Sequence, residues 1–283
     1  EAMLEGINIS MVVGNHDAYY KNTNKINTPK LMLGEYLNIK LVETVPEEVE
    51  FDGLKILLVP WLAPDDFEES MEIIKKSRAP IAAGHLEITG AEMIKNIYCD
   101  GGYDKKIFDK FDVAYSGHFH NPHTIGNVEY IGSTGEMSWI DYNTNRGFSI
   151  LDTDTRERTF VPNPHRLFHK IVYEDTDMSI EDVDALDTKP LEGAYIKLII
   201  KEKNNPYIFD LLFDKIQSSG VADVKVVEDN KHFDILSDDE LQADAVDTPT
   251  LILQYLEGIQ KDKEETGYLK KMSIDLYNEA INI

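Results

Sequence analysis

Ile9-Ser10-Met11-Val12-Val13-Gly14-Asn15-His16-Asp17 is the stretch that decides the fold class. Ile9–Val13 is an apolar run of strand length. Gly14 lets the backbone turn sharply, and Asn15, His16 and Asp17 then bring three polar side chains directly behind the strand. The same order recurs twice. Ile81–Ala83 runs into Gly84-His85, and Val113–Tyr115 runs into Ser116-Gly117-His118-Phe119-His120. Lys55–Val59 is a further apolar run without such an ending. In α/β sheets, sites gather at the carboxyl ends of strands. The pattern therefore predicts an α/β fold that gathers Asn15, His16, His85, His118 and His120 at one sheet edge. His118 and His120 are two apart and project to one side of an extended segment. Histidine and asparagine suit manganese, iron or zinc. Two such ions about 4 Å apart would clamp the attacking and leaving oxygens of a phosphodiester.

Outward from these strands, Phe67, Met71 and Ile74 fall at helical spacing and predict a helix over Asp65–Lys76. Helices are also expected over Ala91–Tyr98 and Lys105–Phe111. From Asn127 the pattern changes to short strands, Val128–Ile131, Gly147–Leu151 and Arg158–Val161, and Pro162-Asn163-Pro164 marks a boundary. Beyond it, Phe168–Tyr173, Tyr195–Lys201 and Ala222–Val227 read as strands and Pro206–Gln217 as a helix, a small α+β domain. Ser237–Thr248 is acidic and poor in large apolar residues, a linker. Thr248-Pro249 is a good helix start. Leu251, Tyr255 and Leu256 form one apolar stripe after it, and Leu269, Met272 and Leu276 a second. The expected organisation is 1–165, 166–236 and a helical tail at 237–283.

Composition narrows the function. The 283 residues are 42% hydrophobic, enough for a sizeable core, and carry a net charge of −24. Such a chain does not coat DNA or a membrane by charge alone, since phosphate binding relies on Lys and Arg. It can still bring metal cations and local basic patches to a phosphate. One such patch is visible: Ala18–Gly34 has no acidic residue but holds Lys21, Lys25 and Lys30 beside Tyr19 and Tyr20. These lysines are expected to contact DNA phosphates. The single cysteine, Cys99, rules out an internal disulfide framework and a cysteine zinc site, and it fits a reducing cytoplasm. No apolar run approaches the roughly 20 residues of a membrane span.

GNHD at 14–17, GH at 84–85 and GHFH at 117–120, in that order, resemble the calcineurin-like metallophosphoesterases. Among these the chain is most similar to the SbcD-type (Mre) double-strand-break nucleases, and to their phage branch. The likeness continues through Tyr130-Ile131-Gly132-Ser133-Thr134 and Asn145-Arg146-Gly147-Phe148 into the C-terminal helices. The resemblance implies an αββα sandwich with a capping domain and a manganese-dependent DNA exonuclease and endonuclease. Asn15, His85 and His118 would bind one ion and His120 the other. His16 would contact the scissile phosphate, and Asp17 would orient His16. It also implies a homodimer that works with an SbcC-type coiled-coil ATPase in bacterial or phage-infected cytoplasm. Leu251, Tyr255, Leu256, Leu269, Met272 and Leu276 would bind the base of that coiled coil.

The family opens with an Asp-x-His block and a Gly-Asp block, and neither occurs in the thirteen residues before Gly14. One ion would keep three protein ligands and the other only His120. The 283 residues alone are therefore expected to show weak or absent nuclease activity. Two alternatives remain open: a metallophosphoesterase acting on substrates other than DNA, and a non-catalytic scaffold for the ATPase.

Overall fold

A computed structural model of the chain describes residues 6–94 and 97–228, together with positions 269, 272, 273 and 276. The chain packs as two units. One runs through Met137 and resumes over Asp141–Leu167; the other takes Ser138–Ile140 and the chain from Phe168 onward. In chain order the first unit holds β1 (Ile9–Val12), β2 (Ala18–Tyr20), β3 (Thr23–Asn27), α1 (Thr28–Leu33), β4 (Ile39–Val42), β5 (Glu47–Phe51) and β6 (Leu54–Val59). It continues with α2 (Phe67–Lys76), β7 (Ile81–Gly84), β8 (Glu92–Ile94), β9 (Ile97–Tyr98), β10 (Val113–Ser116), β11 (His123–Ile125), β12 (Val128–Tyr130), β13 (Gly147–Leu151) and β14 (Arg158–Pro162).

Six strands form the central sheet in the order β11-β12-β10-β7-β6-β5. The four inner strands run parallel; β5 and β11, at the edges, run antiparallel to their neighbours. The β5–β6 hairpin turns on Asp52-Gly53, both at positive φ (47° and 87°), which matches the twist of the flanking strands. β6 shows why both sheet faces are buried. Its Leu57 and Val59 enter one core with Ile74 of α2, Ala82, Phe108, Phe111 and Ala114. Ile56 and Leu58 enter the opposite core with Val42 of β4, Ile81, and partly buried Val12 of β1 and Leu151 of β13. A strand covered on both faces reads as a continuous apolar run rather than an alternating one. The pairs β1–β4 (parallel) and β13–β14 (antiparallel) thus supply part of the cover on one face, and α2 on the other.

The expected helix at Ala91–Tyr98 is instead the hairpin of β8 and β9, with Glu92 paired to Tyr98 and Ile94 to Ile97. Ala91 and Cys99 close its base, each almost fully buried, through Cys99 N to Ala91 O at 2.9 Å. The segment carries Ile94, Ile97 and Tyr98, residue types that suit a pleated surface, and cross-strand pairing satisfies its backbone in place of helical bonds. The helix expected over Lys105–Phe111 shortens to a 3₁₀ turn at Lys105–Phe108, capped by Asp104, whose carboxylate accepts from Lys106 N. The window Ala18–Gly34 folds into the β2–β3 hairpin and α1. The helix expected from Asp65 begins at Phe67, behind a 3₁₀ turn at Pro64–Asp66.

The second unit is a three-stranded, all-parallel sheet of β15 (Phe168–Glu174), β16 (Tyr195–Glu202) and β17 (Asp223–Glu228) in that order. Helices α3 (Ile180–Ala185) and α4 (Pro206–Gln217) join the strands. Tyr173, Ile196 and Leu198 pack with Ile208, Phe209, Leu212 and Ile216 in a core of its own. Ser179 and Asp182 form a reciprocal capping box that starts α3. Positions 269, 272, 273 and 276 are helical, with Leu269 half-buried and Met272 and Leu276 exposed; Leu251, Tyr255 and Leu256 lie outside the described residues. Among the described residues, no helix is long and apolar enough to cross a membrane.

Candidate metal centre

The parallel register sets the site. Val59, Gly84 and Ser116 stand side by side at the carboxyl ends of β6, β7 and β10. Backbone bonds carry the row past the strand ends: His85 N donates to Val59 O at 3.0 Å and Gly117 N to Gly84 O at 3.1 Å. Trp61 N donates to Val13 O at 2.7 Å, which draws the end of β1 alongside. Gly84 is required by close approach, because a Cβ there would lie 2.2 Å from Val59 O. Ser116 is fully buried and latches the segment after β7 to β10. Its Oγ accepts from Leu86 N at 3.0 Å and donates to Leu86 O at 3.1 Å.

Asn15, His85 and His118 come together. Asn15 Oδ1 lies 2.8 Å from His85 Nε2, and His118 Nδ1 lies 2.9 Å from the same nitrogen. The two rings meet edge to face with centroids 4.7 Å apart. A neutral His85 carries at most one proton on Nε2, so one proton would have to serve two neighbours. A cation resolves the conflict. Neighbouring ligands on an ion with bonds of about 2.1 Å stand about 3 Å apart, the spacing at which Asn15 Oδ1 and His118 Nδ1 each stand from His85 Nε2. The donor set of two imidazoles and an amide oxygen also matches a divalent transition metal. Among the described residues, no group of three or more His, Cys, Asp and Glu surrounds a metal-sized space, so an ion here would depend on Asn15 beside the two histidines.

Electrostatics keep both rings ready. Burial presses the His85 imidazole from 6.5 to about 4; the Asp17 carboxylate opposes the shift and charge on His16 and His120 adds to it. His118 is pushed to about 3, first by burial and then by charge on His85, His16 and His120. Both are neutral near pH 7, the form that ligates metal.

The other expected residues are placed as follows. His16 is exposed, close enough for its charge to act on both buried rings. The Asp17 carboxylate accepts from Gly14 N at 2.8 Å, closing the turn that carries Asn15 and His16. The chain bends after Ser116 rather than continuing as a strand, and His120 is not in the trio. Its ring is half-exposed and lies 3.4 Å from Asp141. Lys21 sits in the β2–β3 turn and Lys25 on β3, both exposed. Lys30 pairs with Glu43 at 2.9 Å, and Asn27 donates to the same carboxylate oxygen at 3.1 Å. Asp141 and Glu43 had no signal in the sequence; Ser116 stood at the head of the Gly117-His118-Phe119-His120 stretch, and Arg146 in the Asn145-Arg146-Gly147-Phe148 motif.

A mostly parallel sheet with an imidazole-rich centre at its strand ends defines an α/β protein built around a candidate cation site. No protein-family model matches the chain. It is 30% identical over 257 residues to exonuclease subunit 1 of Enterobacteria phage T4, covering 90% of this chain and 71% of the phage protein. It is 24% identical over 243 residues to the SbcD subunit of the SbcCD nuclease of Staphylococcus epidermidis, covering 72% of this chain but 59% of that protein. A match to the SbcD subunit of the Staphylococcus saprophyticus SbcCD nuclease, 27% identical over 100 residues, covers 32% of this chain. The chain belongs to the SbcD-type (Mre) nuclease family.

Proposed function

We propose that this chain is the DNA-hydrolysing subunit of a manganese-dependent nuclease with the calcineurin-like αββα architecture, cleaving phosphodiester bonds during DNA end processing. The reading rests on one observation above all: Asn15 Oδ1 and His118 Nδ1 each lie within 2.9 Å of His85 Nε2 in a chain of nuclease ancestry. Manganese bound there would polarise the phosphate and supply an activated water. The residues of the chain do the rest. Asn15, His85 and His118 would hold one ion, and His120 would belong to a second. Exposed His16 would contact the scissile phosphate and assist departure of the leaving oxygen, as transition-state stabiliser or general acid. Asp17 fixes the turn that aims His16. Lys21 and Lys25 offer charge to the DNA backbone, while the ion pair of Lys30 with Glu43 makes it the weakest contributor.

Residues 1–165 would form the nuclease domain and 166–236 the capping domain. The tail would bind an SbcC-type ATPase, with the nuclease as a homodimer in the cytoplasm. Deleting residues 249–283 is expected to abolish co-purification with that ATPase. The decisive experiment compares Mn²⁺-dependent cleavage of duplex DNA by the natural-length protein with that of His16→Asn. Cleavage is expected to fall by about 10²–10⁴-fold with Mn²⁺ binding retained. Cleavage that persists unchanged in both His16→Asn and His118→Gln would remove the reading.

A further inference from the structure

Two sequence motifs of this chain have no part in the trio: Ile131-Gly132-Ser133, and Arg146 before Gly147. Both converge on His120. Ser133 N donates to His120 O at 3.2 Å. Gly132, at φ +76°, passes so close that a Cβ would lie 2.8 Å from the same oxygen. Arg146 Nη1 also donates to His120 O, and lies 3.1 Å from Ser133 Oγ. The other arm of the guanidinium, Nη2, donates to Asp141 Oδ1 at 2.7 Å and to Asn121 Oδ1 at 2.8 Å. The second carboxylate oxygen of Asp141 accepts from Met137 N at 2.7 Å. Asp141 is fully buried and Arg146 nearly so, whereas the ring of His120 is half-exposed.

An ion pair placed this deep costs desolvation that its own attraction does not repay unless its geometry is held tightly. Here both members reach one residue: Arg146 grips the His120 carbonyl, and Asp141 faces His120 Nδ1 at 3.4 Å. We propose that Asp141, clamped by Arg146, is a positioning residue for His120 that holds the proton on Nδ1 and leaves Nε2 bare to face a cation or phosphate. A carboxylate accepts hydrogen bonds only, so the nitrogen turned toward it must carry hydrogen. The tautomer and ring orientation of a ligating histidine are set in this way by the partner of its other nitrogen. The inference builds on the proposed nuclease reading, since the value of a bare Nε2 lies in the ion it would take.

The test is a long-range ¹H–¹⁵N correlation spectrum of the metal-free chain with ¹⁵N-labelled histidine at about pH 8, where an ordinary imidazole is neutral. His120 is assigned by the signal lost in His120→Gln. The expected spectrum has a protonated Nδ1 and a bare Nε2, and Asp141→Ala loses that pattern. A wild-type His120 protonated on Nε2 overturns the proposal. So does a folded Asp141→Ala with an unchanged tautomer. The wild-type spectrum decides the matter even if the variant fails to fold. Calorimetric titration is expected to show Mn²⁺ affinity reduced about 10–100-fold in Asp141→Ala. Substoichiometric Mn²⁺ separates the two readings. If it broadens none of His85, His118 and His120, the metal site is refuted while the tautomer assignment stands.

Discussion

At the scale of single residues, the proposed metal centre would set protons and cations in competition for the same lone pairs. His85 and His118 have folded-state values lowered to about 4 and about 3, against 6.5 when exposed. The sign follows from linkage. Below 6.5 the unfolded chain takes up protons that the folded rings refuse. The stability contributed by their neutral burial is therefore complete above 6.5 and lost progressively as pH falls toward 4 and 3. Urea unfolding at about pH 7.5 and about pH 5 should show this loss in the metal-free chain, and His85→Gln with His118→Gln should lose less between the two conditions. An equal loss in wild type and double variant would mean that other groups carry the acid sensitivity. The residues on which the site depends were unevenly visible. Asn15, His85 and His118 follow glycine-terminated strands, so their grouping could be read from spacing. Asp141 is a lone carboxylate in a 3₁₀ turn, and nothing local distinguishes it from the other acidic residues of this chain.

At the scale of elements, positioning comes from strand ends held in register. Gly84 is a point of close approach, since a Cβ there would lie 2.2 Å from Val59 O. Gly84→Ala should force β6 and β7 apart and cost about 1–3 kcal/mol by denaturant unfolding. It should also weaken Mn²⁺ binding, because His85 follows directly. A variant with both properties unchanged would show that the strands can shift freely. The hairpin and helix after the GNHD turn are held by Asn27, which is almost fully buried. Its Oδ1 accepts from Lys30 N at 2.8 Å as the cap of α1, and its Nδ2 donates to Asn24 O at 2.8 Å. Asn27→Ala is expected to destabilise the chain by about 1–2 kcal/mol, measured as a lower urea midpoint. The hairpin of β8 and β9 marks where local pattern misleads. Ala91, Ile94, Ile97 and Tyr98 fit a helical stripe, yet a run this short takes its structure from the partners that cover it.

For the whole molecule, separate cores in the two units imply two cooperative units. The core around Leu57, Ile74 and Tyr130 belongs to the first and the core around Tyr173, Leu198 and Ile216 to the second. A ligand raises the stability only of the unit that binds it, by about 2.7 kcal/mol at a hundredfold excess over Kd. Calorimetry with saturating Mn²⁺ should therefore move the transition of the first unit and leave that of the second in place; EDTA should reverse the shift. A shift of both transitions together would show that the units unfold as one. The net charge of −24 belongs to this scale too. Such a charge gives DNA no overall attraction, so binding of the kind proposed would fall to local features such as Lys21 and Lys25.

The order of strand, glycine and ligand-type side chain was determined by the sequence alone, because each strand and the turn that ends it are encoded within a few neighbouring residues. So were the α/β class and the helix at Pro206–Gln217. Tertiary structure alone decided which of those strand ends stand side by side. It also decided that Lys30 meets Glu43, that residues 91–98 pair as a hairpin, and that Asp141 and Arg146 close on His120. The long-range contacts among these join segments well apart in sequence, 13 residues for Lys30 and Glu43 and 26 for Arg146 and His120, beyond the reach of local propensity.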